Sequence, residues 1–91
     1  MDRQVIERLA ATWKLLHPDL ASRIDRATGL TEKVKPIGDL TWEVVGVSSI
    51  YYVYADPDTH ASTCTCPDSQ SGHRCKHRIA VALVWKSGQM S

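Results

Sequence analysis

Cys64, Cys66, Cys75 and His77 are the residues of this 91-residue chain whose types and spacing can do chemistry. They read Cys-Thr-Cys, eight intervening residues, then Cys-Lys-His. Three sulfur donors and one imidazole fill the tetrahedral shell of a structural zinc ion. All three cysteines of the chain are used. A shell closed by four protein ligands keeps no position for water or substrate, so it predicts a folding staple and not a hydrolytic centre. Other readings of the cysteines are weaker. Three cannot pair off completely, although one bridge with a leftover thiol can form, and the Cys-x-x-Cys redox spacing is absent. Free cysteines also behave as small apolar residues. The segment between the ligand pairs is polar and turn-like, however, with Pro67, Asp68, Ser69, Ser71 and Gly72. It offers little apolar surface to bury a thiol. His60 and His73 are the nearby imidazoles that could replace a cysteine in the shell.

The elements that must position these ligands follow from periodicity. Residues 33–66 read as β, with two runs rich in β-branched and aromatic side chains. Trp42, Val44 and Gly46 alternate with Glu43, Val45 and Val47, and Ile50, Tyr52 and Tyr54 with Tyr51, Val53 and Ala55. These predict two strands joined at Ser48-Ser49 as a hairpin. Asp56-Pro57-Asp58 turns the chain. A third short strand, Ala61–Cys64, then delivers the first ligand pair. Both faces of the hairpin carry apolar residues, which predicts a layer on each side. From Lys76 to Lys86 the chain is apolar nearly all round, the pattern of a largely buried helix, with Gly88 as its expected stop. Cys75 and His77 fall at its start, where the dipole and free N–H groups favour thiolates. Asp68 is the candidate acceptor for the second ring nitrogen of His77, or a cap for the helix, or the residue of a simple Asx turn.

Upstream, Val5, Leu9, Trp13 and Leu16 recur at helical spacing, with Ile6 and Leu15 widening the stripe. Pro18 disfavours helix at His17 and suits the first turn of a second helix. Leu20, Ile24 and Ala27 share a face of that helix, and Gly29 is its expected end. The pair is a helical hairpin or a kinked helix. It covers the core or, through Trp13 and Leu16, presents an anchor to a partner. The resulting architecture is α+β: an N-terminal helical extension over residues 1–32 and a zinc-binding region over residues 33–91, packed as one unit. The helical part, a small antiparallel sheet and a C-terminal helix surround the metal in a ββα-like arrangement.

The run Cys64-Thr65-Cys66-Pro67-Asp68, then Cys75-Lys76-His77, then Ile79-Ala80-Val81-Ala82-Leu83, resembles the SWIM zinc finger. The resemblance covers roughly residues 40–86. It implies Cys64, Cys66, Cys75 and His77 as ligands of one zinc ion per chain. It also implies a role in binding DNA or proteins, often within chromatin, transposition or recombination factors. Ser69 departs from the aromatic residue that members often carry after Pro-Asp.

Charge and composition bound the partners. The formal net charge is +1, and three thiolates against one divalent cation bring the metal-bound protein close to neutral. Basic side chains nevertheless gather at Arg74, Lys76 and Arg78, interleaved with the last two ligands. With Tyr51 or Tyr52 stacking on bases, they make a candidate nucleic-acid surface. The same cations also serve simply to offset the charge of the metal centre. A protein partner, or a second copy of the chain, is the other class left open. No apolar stretch is long enough to span a bilayer, and the N-terminal residues do not show a basic-then-apolar leader pattern, so an intracellular, reducing location and no membrane partner are expected. There is no glycine-rich phosphate loop, and the Asp56/Asp58 pair flanks a turn. The chain therefore reads as non-enzymatic, without a small-molecule substrate.

Overall fold

A computed structural model describes residues 3–46, 49–56, 62–66 and 75–90, with side chains through Gly88. The chain opens with α1, Arg3–Leu16. It stops one residue before His17-Pro18, as the proline dictates. Pro18–Leu20 form a 3-10 turn, and α2, Ala21–Leu30, follows at once. Of the two expected forms, hairpin and kinked helix, this is the hairpin. Lys14 Nζ lies 2.7 Å from Asp25 Oδ1 and ties the two helices together. Being exposed, that pair adds at most about 1 kcal/mol. The apolar side of α1 buries Ile6 and Ala10, while Leu9 and Trp13 are half-buried. Leu15 and Leu16, expected to extend the stripe inward, are instead 85% and 67% exposed. Both fall in the last turn of α1.

Gly29 does not end α2. It lies inside the helix, and the chain continues through a second 3-10 turn, Thr31–Lys33. A glycine in a helix costs only about 1 kcal/mol. Against that, Thr31 is fully buried, and its hydroxyl donates to the Thr28 carbonyl at 2.9 Å, which fastens the junction. Gly88 likewise lies within the C-terminal helix, α3, which runs Lys76–Met90.

The sheet has four strands in the order β1-β2-β3-β4, all antiparallel. They are β1 Val34–Gly38, β2 Thr41–Val45, β3 Ile50–Ala55 and β4 Ser62–Cys64. Ala61, the expected first residue of the last strand, lies outside the described residues, as do Ser48 of the expected hairpin turn and Pro57-Asp58. Strand β1 lies inside the region expected to be β, 33–66, but no separate strand is marked there, because Pro36 interrupts its pattern. Proline is tolerated there since β1 is an edge strand. A shift in register between Pro36 and Gly38 marks the site. Leu40, in the β1–β2 turn, has φ 61°, a left-handed conformation that costs a non-glycine residue about 1–2 kcal/mol. Its carbonyl accepts from the Ala55 N–H at 2.9 Å, which holds the turn against β3.

Register sorts the sheet into two faces. Val44 pairs with Tyr51, Trp42 with Val53, and Val53 with Cys64. Val44 and Val53 are fully buried and pack with Val81 of α3. The opposite face presents Val45, Ile50, Tyr52 and Tyr54, each 38–50% exposed. The expectation of a layer on both faces is therefore corrected: among the described residues, helices cover one face. The reason lies in α3. Ile79, Ala80 and Leu83 pack on α1 and α2, while Val81 packs on the sheet. The all-round apolar helix is the middle of three layers, so both helical candidates end on the same side. Among the described residues no helix is long and apolar enough to cross a membrane.

Leu83 is fully buried at the junction of α3 with the hairpin. Leu83→Ala is expected to cost about 2–5 kcal/mol in urea unfolding. Leu15→Ala, at an 85% exposed position, is expected to stay within about 0.5 kcal/mol.

Candidate metal centre and the cleft beside it

The two ligand pairs arrive on two elements whose local structure fixes them. A strand repeats every two residues, so Cys64 and Cys66 point to the same side of the chain as it leaves β4. Between them, Thr65 faces the other way and is bound twice to β3. Its N–H donates to the Tyr52 carbonyl at 3.1 Å, and its Oγ1 accepts from the Tyr52 N–H at 3.1 Å. These reciprocal bonds leave the first pair little freedom. Cys75 immediately precedes α3, and its carbonyl accepts from the Ile79 N–H at 3.3 Å. It is thus the capping residue, and its sulfur takes a hydrogen bond from the Arg78 backbone. His77 sits in the first turn.

Four side chains from separated segments meet here. Cys64, Cys66, Cys75 and His77 are all buried, between 1% and 7% exposed, and their ligand atoms lie within 4.8 Å of one another. Zinc–sulfur bonds of about 2.3 Å in a tetrahedron set donor separations of about 3.8 Å, close to this spread. The cysteines are free thiols, with no disulfide. Nδ1 of His77 is buried with no hydrogen-bond partner among the described residues. A polar atom stranded in this way costs about 1–3 kcal/mol, and a metal bond at the cluster removes that cost. The donor set and geometry fit one zinc ion.

The thiols are not equivalent. Cys75 is pulled down to about 3, chiefly because Cys64 donates to it, with His77 and the Arg78 backbone N–H adding to the effect. Cys64 is pushed up for the matching reason, its hydrogen bond to Cys75, and by burial. In the metal-free cluster the two thiols therefore share a proton through this hydrogen bond and titrate as a pair.

The other residues named from sequence separate in space. Arg78 is half-buried, and its Nε donates to Ser62 Oγ at 2.8 Å. That bond joins the strand carrying the first ligand pair to the helix carrying the second. Lys76 is exposed. The ring of Tyr51 lies against that of His77, centroids 4.4 Å apart and tilted by 35°. Tyr52, its neighbour, opens to solvent on the far face of the sheet. Arg74, Asp68, His60 and His73 lie outside the described residues.

Beside the centre is a cleft of about 700 Å³, which sequence reasoning did not identify. The end of the helical hairpin, the β1–β2 turn and α3 enclose it. All three tryptophans of the chain, Trp13, Trp42 and Trp85, line it, together with Leu16, Leu20 and Leu40. Arg78 and Ser62 lie on its wall, so cleft and metal centre share a boundary.

Residues 52–86 match the SWIM zinc finger family. The match spans most of β3, both ligand pairs and most of α3, and leaves the helical hairpin outside. No curated protein and no solved structure matches the chain.

Zinc must displace the proton shared by the Cys64–Cys75 pair. Calorimetric titration of the metal-free protein in buffers of different ionisation enthalpy is expected to register at least one proton released per zinc. Apparent affinity should then fall about tenfold per pH unit for each proton displaced as the pH drops. Binding without proton release would contradict this charge distribution.

Proposed function

Because the chain carries a SWIM zinc finger at residues 52–86, we propose that it is a non-enzymatic binding module whose zinc-braced cleft receives an apolar segment of a partner protein. The observation that carries this reading is the convergence of Trp13, Trp42 and Trp85 on one cleft of about 700 Å³. Tryptophan is enriched among the few residues that dominate protein interfaces. Grooves of this kind take amphipathic helices, whose apolar side chains at i, i+3, i+4 and i+7 enter as anchors. Two further features support it. Leu16 lines the cleft while 67% exposed, an apolar side chain at a helix end with nothing over it among the described residues. Leu40 lines the cleft from a left-handed backbone, and strain of that kind gathers at binding sites.

The nucleic-acid reading draws less support. Lys76 is exposed, but Arg78 is engaged with Ser62, and Tyr51 is engaged with His77. Tyr52 stands on the far face of the sheet from both. The formal charge of +1 also supplies little long-range attraction for phosphates.

A displayed library of helical peptides, panned on the zinc-loaded protein, tests the proposal. Recovered peptides are expected to carry aromatic and aliphatic anchors on one face and to shift the tryptophan fluorescence. They should lose binding to Trp85→Ser and keep it for Lys76→Glu. The proposal fails if recovered peptides bind Trp85→Ser as well as the parent, or if none is recovered. It also fails if duplex DNA binds instead, with a log-log salt slope of about −2.7 for three phosphate contacts, abolished by Lys76→Glu and untouched by Trp85→Ser.

A further inference from the structure

We propose that Tyr51 and Gly46 are positioning residues of the zinc site: the Tyr51 ring, lying in space that Gly46 leaves clear, holds the His77 imidazole in its ligating orientation. The inference rests on the zinc assignment and is independent of what the cleft binds.

Zinc-ligating histidines usually owe their ring orientation to a hydrogen bond at the second nitrogen. Here the described residues offer a different restraint. The tyrosine ring lies 4.4 Å from the imidazole, centroid to centroid, tilted by 35°. Two rings this close restrict each other's rotation through sterics and dispersion. Tyr51 also packs on the cluster formed by Cys64, Cys66, Cys75 and Val81. Its place in β3 is fixed, because it pairs with the fully buried Val44.

Behind the ring stands the β2–β3 hairpin. Gly46 donates its N–H to the Ser49 carbonyl at 2.8 Å. A Cβ at Gly46 would lie 3.0 Å from Tyr51 Cε2 and 3.0 Å from the Ser49 oxygen. Any side chain there must push the tyrosine ring, move the hairpin backbone, or both. Gly46, Tyr51 and His77 thus form a contact chain from a surface hairpin to a metal ligand. A residue that touches no ligand is set to control one.

The test measures zinc affinity by competition with a chromophoric chelator, and the d–d spectrum of the cobalt-substituted protein. Tyr51→Ala is expected to weaken zinc binding about 10–100-fold, the usual cost of losing an outer-shell partner, and to shift the cobalt bands. Tyr51→Phe, which keeps the flat ring, should restore both. Tyr51→Leu, which keeps apolar bulk without the ring face, should not, and it guards against a simple loss of core volume. Gly46→Val should reproduce the spectral shift and the weakened binding. Tyr52→Ala, on the opposite face, should change neither. Wild-type affinity and bands in Tyr51→Leu or Gly46→Val would overturn the proposal, as would a fall in melting temperature with cobalt bands unchanged.

Discussion

A helix that must bring two metal ligands at its start, and that is apolar nearly all round, constrains everything around it. The ligands tie its start to the strand bearing Cys64 and Cys66. Its flanks demand cover from two directions. One flank, Ile79, Ala80 and Leu83, takes the helical hairpin. The other, through Val81, takes the inner face of the sheet. A small chain divides its core this way only if something holds the two halves in register. The metal bond does so at one end of α3, and the Arg78–Ser62 hydrogen bond reinforces it beside the ligands.

The placement of α3 in the middle also accounts for what stays exposed. With both helical elements on one side, Ile50, Tyr52 and Tyr54 face solvent. The hairpin packs on Ile79, Ala80 and Leu83 of α3. Its far end, with Trp13 and Leu16, stands away from the sheet, and the cleft is the space between. Metal centre and cleft are therefore consequences of one packing decision. Ser62 and Arg78 belong to the wall they share.

The ligands were legible because metal chemistry is written in residue type and spacing. A separation of two matches the period of a strand, and a Cys-x-His pair opening an apolar run matches a helix start. The helices were legible as well, since Pro18 and the apolar stripes speak through local backbone physics. Their ends were less so. Gly29 lies within a helix because the buried Thr31 beyond it outweighs a modest propensity cost, and Gly88 lies within α3 at the same modest cost. Pro36 concealed β1, whose edge position is a property of the whole sheet. Tyr51 and Tyr52 were interchangeable on paper. Only strand register puts one ring on His77 and the other in solvent. The cleft was illegible for a similar reason: Trp13, Trp42 and Trp85 are far apart along the chain and meet only through tertiary packing.

Zinc is central to this account, and its removal tests the claim most directly. Elemental analysis of the purified protein, combined with thermal unfolding before and after a strong chelator, measures it. The expected result is one zinc per chain and a melting transition lowered by about 20 °C or more on chelation, given the several kcal/mol a structural zinc contributes. Protein that carries no stoichiometric metal and melts identically with and without chelator would contradict it.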